Sequence, residues 1–352
     1  MKLLILTQKI DRRDDVLGFM HRWVQEFAAQ AEQVTVLCLY QGESSLPPNV
    51  RVFSLGKERG ASRIQYLKNF FQVIWRERGT YDSVFVHMNY EYVVLGGLLW
   101  RVLGKKIALW YAHGSVPLLL HLATALAHRV LTSTVSGFRI LSSKKVVVGQ
   151  GIDTDFFKPA STKFGEKKFS LVSVGRISPI KNYETVIDAV KILEEKNVDV
   201  QLTIVGGAGL AAQEGYAHAL VERVAAAGLP HTISFAGSRS NTDIVQTLQQ
   251  ADLFVNTSLT GSLDKAVLEA MACGVPILTC NEALIEVLGP YTEQLMFPVQ
   301  DSAALADKIF EMQRKTVSER TALGEKLREI VVRDHNLTRF VAKIISSYGT
   351  AA

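Results

Sequence analysis

Short β-branched runs alternate with longer amphipathic stretches along most of this chain, and this alternation narrows the possible folds more than any other feature. Helical patterns such as 16–30, 62–78 and 182–196 separate the strand candidates. The strand candidates lie at 2–7, 33–39, 51–55, 83–88, 106–111, 129–134 and 144–149, and again at 169–175, 200–206, 231–237, 252–258 and 276–280. Strands that alternate with helices predict an α/β fold, in which helices cover both faces of parallel sheets.

The pattern stops once, at the polar segment 158–168, which carries Pro, Ser, Gly and Lys and is typical of a linker. A chain of 352 residues is long enough for two domains with sizeable cores. We therefore predict two Rossmann-like, doubly wound domains at 1–160 and 161–334, and a C-terminal helix within 335–352. Ligands of such sheets bind beyond the carboxyl ends of the strands, so functional residues are expected just after strands.

The sequence carries no sign of secretion, of a membrane-spanning segment or of a metal site. The start, MKLLILT, is too short for a signal peptide, and no run of about 18 uncharged apolar residues follows. The apolar stretch at 93–100 is predicted to be a buried core helix. Cys38, Cys273 and Cys280 lack metal-ligand or redox spacing, which suits a reducing cytosol. We expect a cytoplasmic protein with no metal, no cofactor and no nucleic-acid partner.

Positive charge is concentrated in the first half of the chain. Residues 1–160 hold 20 Lys and Arg against 12 Asp and Glu, whereas residues 161–352 hold 19 against 22. This indicates either an anionic ligand or surface for the first half, or simply a basic surface. The stretch 62–78 mixes aromatic residues with Arg and Lys. It is either the core face of a Rossmann helix or a peripheral contact with the inner face of the cell membrane.

Two motifs follow strands in the second half. Gly175-Arg176-Ile177-Ser178-Pro179-Ile180-Lys181-Asn182 places two cations beside a helix start, which suits a diphosphate unless the segment is only a charged surface loop. Residues 257–276 run from a strand through a glycine-containing loop into a helix whose first N–H groups are free. Glu269 lies on this otherwise apolar helix, where a carboxylate is costly unless it is bound. It could accept from a ribose diol or form a salt bridge at the domain edge.

Together these motifs resemble the second domain of glycosyltransferase family 4, whose members have the GT-B fold of two Rossmann-like domains facing across a cleft. GRISPIKN is similar to the family's Gly-Arg-x4-Lys element, and VLEAMACGVP to its most recognisable run. The resemblance implies a retaining transferase that moves a sugar from a nucleoside-diphosphate sugar to a glycan or lipid-linked acceptor. UDP-sugars are favoured over GDP-mannose as donor. The last helix would cross back to the first domain.

The resemblance also implies roles for individual residues. Arg176 and Lys181 would hold the diphosphate and stabilise its charge as it leaves, and Glu269 would bind the ribose. Further donor-binding candidates are Gly261, Ser262, Lys265, Ala266 and Leu268 around the second motif, Gly207 after the next strand, and Gly237 and Arg239, which with Ser238 would line the base pocket. Many members have a glutamate where this chain has Gly261. Asp264, three residues on, is either its substitute at the sugar or a helix N-cap.

The first domain offers weaker candidates. His113 follows a strand where the family often has histidine, so it would contact the transferred sugar or orient the acceptor, unless it is structural. Gly18, Arg12 and Arg13 lie in the loop after the first strand and are acceptor-binding candidates. The run Asp153-Thr154-Asp155 mimics a metal motif but is typical of a turn.

Two other functions stay open at this point. One is a nucleotide-sugar 2-epimerase, which needs acid/base groups for elimination and which the Glu-Ala-Met-Ala-Cys-Gly context argues against. The other is a non-catalytic nucleotide-sugar-binding protein, which the absence of the first glutamate would suit.

Overall fold

The computed structural model describes residues 1–14, 16–160, 168–209 and 213–349, and these form two compact units. The first comprises Met1–Gly151 with the C-terminal segment from Leu337, and the second comprises Ile152–Asn336. The division thus falls nine residues before the predicted boundary at 160. The reason is that Ile152 pairs with Asn336 in a β-bridge and Phe157 is buried in the core of the second unit. Most of the predicted linker, 161–167, lies outside the described residues.

The first unit is built on seven parallel strands in the order β3-β2-β1-β4-β5-β6-β7. They are β1 (Lys2–Ile10), β2 (Gln33–Gln41), β3 (Val50–Ser54), β4 (Ser83–His87), β5 (Lys106–Trp110), β6 (Arg129–Thr132) and β7 (Lys145–Val147). The central strand β1 is buried without a break from Leu3 to Thr7. Such an unbroken apolar run, rather than alternation, is what a parallel strand covered on both faces requires.

Helices cover both faces of this sheet. One face carries α1 (Phe19–Gln30) and the C-terminal helix Leu337–Ser347, whose Phe340 ring lies 4.4 Å from that of Trp23. The other face carries α2 (Arg63–Arg76), α3 (Glu91–Val102) and α4 (Leu118–Leu126). The predicted helix at 93–100 is therefore present as α3. The prediction that it is a buried core helix is wrong for its outer face, where Leu98 is 68% exposed.

The second unit is built on five parallel strands in the order β10-β9-β8-β11-β12. They are β8 (Phe169–Val174), β9 (Val200–Val205), β10 (Ile233–Phe235), β11 (Leu253–Asn256) and β12 (Ile277–Thr279). The helices are α5 (Tyr183–Glu195), α6 (Glu214–Ala226), α7 (Asn241–Gln250), α8 (Lys265–Ala272), α9 (Ile285–Leu288), α10 (Thr292–Leu295), α11 (Ser302–Arg314) and α12 (Val317–Asp334), and the C-terminal helix is α13.

All twelve predicted strands are present, and the strand order fixes where a ligand site is expected. In the second unit the chain leaves β8 toward β9 on one side, and β11 pairs with β8 on the other. The loops after β8 and β11 therefore diverge at a topological switch point, the usual place for a ligand in an open parallel sheet. Within the described parts of the chain, no helix is both long and apolar enough to span a membrane.

Candidate functional site

The switch point of the second unit brings together the two motifs that the sequence singled out separately. The loop after β8 carries Arg176 and Lys181, and the loop after β11 leads to Asp264 at the start of α8. Two hydrogen bonds join the loops: Leu259 N donates to Ile180 O at 2.9 Å, and Thr257 Oγ1 donates to Lys181 O at 2.8 Å. Segments about 80 residues apart thus form one surface at the carboxyl edge of the sheet.

Glycines allow the neighbouring loops to approach this surface closely. Gly206 has φ +149°, and a Cβ there would lie 1.9 Å from the carbonyl oxygen of Gly175. A Cβ on Gly207 would lie 2.6 Å from Ser238 Oγ. Because only glycine tolerates such close backbone contact, Gly206 is fixed by packing at the ends of β8 and β9, whereas a Cβ on Gly207 would closely approach only the Ser238 side chain. Gly206 N donates to Gly237 O at 2.9 Å, so the predicted donor-binding glycines 207 and 237 lie on neighbouring loops.

The two predicted cations differ in their surroundings. Arg176 is exposed, and its Cδ lies 3.2 Å from the position of a Cβ on Gly209. Lys181 is largely buried, and its Cε lies 3.0 Å from the position of a Cβ on Gly175, so the lysine stem passes over that glycine. Arg239, the third cation of this region, is exposed and donates from Nε to Ala236 O at 3.3 Å. Arg176 is therefore free to reach an anion, whereas Lys181 is held in place.

A directed hydrogen-bond chain holds Lys181. Its ammonium pairs with Asp264 Oδ2, and the same oxygen accepts from Asn256 Nδ2 at 3.0 Å. Asn256 Oδ1 in turn accepts from Thr279 Oγ1 at 3.0 Å, and Thr279 Oγ1 accepts from Asn281 N at 3.1 Å. Asn256 and Thr279 are buried neighbours on paired strands. The amide of Asn256 and the hydroxyl of Thr279 can make these hydrogen bonds in only one orientation. The carboxylate of Asp264 is therefore fixed toward Lys181.

Asp264 occupies the N-cap position of α8, but its side chain makes no capping hydrogen bond. The N-cap alternative from the sequence is therefore wrong as an account of its carboxylate. Both bonds use Oδ2, so Oδ1 is the atom that would serve a ligand hydroxyl. Burial of nearby Tyr183 and the negative charge of Asp264 raise the pKa of that phenol, whose hydroxyl donates to Gly175 O at 2.8 Å. Tyr183 is thus a neutral support for the same loop.

Glu269 is buried on α8, where every residue from Ala266 to Ala272 is buried, Leu268 among them. Its carboxylate pairs with Lys265 one turn earlier, so the salt-bridge alternative describes its contact in this structure. Lys265 also lies over the ring of Phe157, with Nζ 5.6 Å from the centroid. The ion pair offsets the cost of burying the Glu269 charge, and the Lys265 side chain is 23% exposed.

The loop between β11 and α8 has a conformation that explains the missing glutamate. Gly261 has φ +59°, in the left-handed region. The loop is closed by Thr260 Oγ1, which donates to Ser262 O at 3.2 Å, and by Asn281 Nδ2, which donates to the same carbonyl at 2.8 Å. A side chain at position 261 would have to adopt the strained backbone, so this loop is built around glycine rather than around glutamate.

We expect Gly261→Ala to lower the free energy of unfolding by about 1 kcal/mol because an L-residue is strained at positive φ. Gly215→Ala is the matched control, since Gly215 lies in α6 with open space where its Cβ would be. That change should be neutral or stabilising. Urea unfolding midpoints of both variants measure the difference, and equal midpoints would show that the loop does not need glycine.

The sequence missed Asn256, Thr279 and Asn281. Two of them could have been predicted as site residues, because Asn256 and Thr279 are polar residues at the last positions of apolar strands. Their partners could not be read from the sequence.

His113 lies in the first unit, just after β5, and its ring is exposed. Ser115 N donates to His113 Nδ1 at 3.0 Å. Ser115 Oγ lies 2.8 Å from the same nitrogen, so Nδ1 is occupied by Ser115 and Nε2 is the ring nitrogen left to serve a ligand. The sequence-predicted site residues are thus divided between the units: His113 belongs to the first, and the Lys181 cluster to the second.

The acceptor candidates of the first unit have acidic partners. Arg12 and Arg13 both pair with Glu43, the latter with Nε 2.6 Å from Oε2. Gly18 precedes α1 with φ −56°, an ordinary value that does not require glycine. These residues stay candidates, but the one carboxylate of Glu43 partly offsets the two arginine charges. The Asp153 segment forms a turn, in which Phe156 N donates to Asp153 Oδ1 at 3.0 Å, as predicted. The described residues contain no cluster of three or more His, Cys, Asp or Glu that could hold a metal.

Comparison with known proteins shows that the second unit is similar to glycosyltransferases. The model of glycosyl transferases group 1 matches residues 154–329, half of the chain and most of the second unit. Mannosylfructose-phosphate synthase of Agrobacterium fabrum is 29% identical over 153 residues, 40% of this chain and 34% of that protein. The putative glycosyltransferase EpsD of Bacillus subtilis is 30% identical over 213 residues, 57% of this chain and 54% of that protein. The chain thus spans about a third to a half of these relatives.

The solved structure of HepE from Anabaena, in complex with UDP and glucose, matches over 100% of both chains. The TM-score is 0.78 and the sequence identity is 18%. A likeness at this identity concerns the fold alone, and it confirms the predicted GT-B fold with two parallel-sheet α/β domains.

Proposed function

Because this chain belongs to the family of glycosyl transferases group 1, we propose that it transfers a sugar from a nucleoside-diphosphate sugar to an acceptor. The observation that carries the proposal is the ordered cluster at the switch point of the second unit. There, the loop after β8 carries an exposed arginine and a lysine that pairs with Asp264, and the helix that Asp264 begins carries a second ion pair, Lys265–Glu269. This edge is where parallel α/β sheets bind nucleotides.

The cations act on the diphosphate. Arg176 and Lys181 bind its oxygens, and their attraction grows as negative charge develops on the leaving nucleoside diphosphate. Preorganised cationic groups beside the atoms where negative charge develops stabilise the transition state more than the ground state. The hydrogen bonds through Asn256 orient Lys181 in this way, because they fix the Asp264 carboxylate to which the lysine ammonium is bound. No metal is needed for this task, which is itself part of the proposal.

The carboxylates act on hydroxyl groups. Glu269 accepts from the ribose diol, and Asp264 Oδ1 accepts from the donor sugar in place of the glutamate that Gly261 replaces. Gly261, Ser262, Lys265, Ala266 and Leu268 contribute the loop and helix start against which the phosphate and sugar lie. Arg239, Gly207 and Gly237 line the base pocket at the ends of β9 and β10. His113 Nε2 contacts the transferred sugar, and Gly18, Arg12 and Arg13 serve the acceptor.

We further propose that the chain is a retaining member of family 4 that uses UDP-sugars in preference to GDP-mannose. The acceptor is a glycan or a lipid-linked glycan, and the basic first unit contacts the membrane in the cytoplasm. HepE was crystallised with UDP and glucose, which supports a UDP-sugar here. The charge asymmetry of the two halves supports an anionic surface or acceptor for the first.

A thermal-shift panel of UDP, GDP, UDP-sugars and GDP-mannose tests the donor assignment. A ligand at a hundred times its dissociation constant stabilises the folded state by about 2.7 kcal/mol, so the true donor should raise Tm clearly. We expect the largest shift from a UDP-sugar, and no shift from any nucleotide would contradict the proposed function. Incubating the stabilising donor without acceptor separates the alternatives, because conversion to another nucleotide-sugar would indicate a 2-epimerase. Donor binding that never leads to hydrolysis or transfer would indicate a non-catalytic binding protein.

A further inference from the structure

The outward faces of α3 and α4 carry apolar side chains that the core does not use. Leu98 and Val102 lie one turn apart on α3 and are 68% and 85% exposed. Leu118 and Leu122 lie one turn apart on α4 and are 85% and 46% exposed. On a helix, residues four apart point the same way, so each pair forms a stripe directed away from the sheet.

The two stripes lie side by side. A Cβ on Gly97 of α3 would meet Leu126 of α4 at 3.1 Å, so the helices pack closely at this glycine. Helix α2 continues the layer, since the ring of Phe70 stacks on that of Tyr92 in α3 at 5.6 Å. On α2, Trp75 is 52% exposed. The outward sides of these three helices, here called the α2–α4 face, therefore present one extended apolar surface.

Single exposed apolar residues are normal, but contiguous patches mark interaction sites. The buried sides of these helices already fill the core of the first unit, through residues such as Phe70 on α2, Trp100 on α3 and Leu120 on α4. The outward apolar residues thus contribute nothing to that core, and their exposure to water is unfavourable unless another surface covers them.

The segment that carries the three helices of the α2–α4 face has an excess of positive charge. Residues 62–126 contain seven Lys and Arg against three Asp and Glu. One of those acids, Glu77, is buried and paired with Arg51 and Arg76. Exposed Arg63 and Lys68 lie on α2, the helix that also carries the exposed Trp75. Apolar side chains flanked by cations match the interface of a bilayer that carries anionic headgroups.

We infer that the α2–α4 face docks the first unit on an anionic phospholipid surface. A second copy of the chain is a poorer occupant, because a two-fold interface uses the same surface of both copies and would bring two positively charged surfaces together. The docking rests on the proposed function only in that a lipid-linked acceptor would be met at this surface. The contact is peripheral, with apolar side chains entering the headgroup region and cations binding lipid phosphates.

Vesicle sedimentation of the full chain tests this inference. Vesicles of phosphatidylcholine alone are compared with vesicles of equal parts phosphatidylcholine and phosphatidylglycerol, each at low and high salt. We expect binding to the anionic vesicles that weakens at high salt, and a loss of about tenfold or more in partitioning for Leu98→Ser/Val102→Ser. The matched control is Val221→Ser/Val317→Ser, two exposed apolar residues of the second unit, which should bind like wild type. Circular dichroism confirms that both variants are folded.

Three outcomes would overturn the inference. One is no binding to anionic vesicles, and another is binding that Leu98→Ser/Val102→Ser leaves unchanged. The third is self-association in analytical ultracentrifugation that this variant abolishes without any vesicle binding by wild type, which would assign the face to a second copy. The donor thermal shift separates this result from the proposed function. If the chain does not bind vesicles but the donor still raises its Tm, docking through the α2–α4 face is refuted and sugar transfer is not. If the chain binds vesicles but no donor raises its Tm, sugar transfer is refuted and the docking is not.

Discussion

Replacing Lys181 with alanine is expected to lower kcat/KM by about 30- to 1,000-fold, equivalent to roughly 2–4 kcal/mol of transition-state stabilisation. The ammonium is held by Asp264 beside the loop after β8, where the leaving diphosphate would lie. Charge on that group grows as the sugar leaves, so the loss should fall on kcat as well as on kcat/KM. Arg176→Ala should have an effect of similar size, since Arg176 is the other cation of the motif. Steady-state kinetics with the donor identified by thermal shift measures both.

Lys191→Ala is the matched control for Lys181→Ala. Lys191 lies on α5 and forms an exposed i,i+4 pair with Glu195 at 3.9 Å, which contributes little. Its loss should leave kinetics and Tm near those of wild type. A rise in KM alone for Lys181→Ala would mean that the lysine binds substrate and transition state equally. Near-wild-type turnover in both Lys181→Ala and Arg176→Ala would contradict the diphosphate assignment.

Lys181→Ala also tests the ion pair, because it leaves the largely buried Asp264 carboxylate without its cation. Breaking a buried pair from one side is destabilising, whereas removing both partners is less so. The double variant Lys181→Ala/Asp264→Ala should therefore be more stable than the sum of the single effects predicts. Additive losses in Tm would show that the two side chains do not depend on each other.

The fold was predictable from the sequence because its signals are local. All twelve strands follow from apolar runs, and the site's position follows from the rule that parallel sheets bind ligands at their carboxyl ends. What could not be predicted depends on register and torsion. Asn256 and Thr279 meet because β11 and β12 pair with those residues opposite one another, and no local pattern encodes that register. The positive φ of Gly261 is likewise a property of the closed loop.

The apolar run at 93–100 led to the prediction that α3 is a buried core helix, which is wrong for its outer face. An eight-residue apolar run between charges is consistent with a helix buried all round, and hydropathy cannot tell which neighbours will cover it. In the structure, Trp100 and Val93 face the sheet while Leu98 and Val102 face outward. The same run therefore supplies both a core face and the α2–α4 face.

Asp264→Asn is expected to separate binding of the nucleotide from binding of the sugar. Asparagine can still accept from Asn256 and Lys181, but it lacks the charge. Loss of a hydrogen bond to a charged group costs about 1.5–3 kcal/mol, so the Kd for the UDP-sugar should rise by roughly 10- to 150-fold. The Kd for UDP, which has no sugar to contact, should stay the same or fall because one negative charge beside the diphosphate is removed. Isothermal titration with UDP and with the UDP-sugar measures the two values.

Thr279→Val is the positioning control for that result. Thr279 has no contact with the proposed sugar position and acts through Asn256, whose Oδ1 accepts its hydroxyl proton at 3.0 Å. Valine has nearly the same shape, so the fold should persist while Asn256 is free to turn. We expect a smaller loss of affinity than Asp264→Asn causes for the UDP-sugar. UDP and the UDP-sugar should lose affinity by the same factor, because a displaced Lys181 ammonium affects the diphosphate of both. If Asp264→Asn weakens UDP and UDP-sugar by the same factor, Asp264 acts only through Lys181, and the substitute for the missing glutamate lies elsewhere.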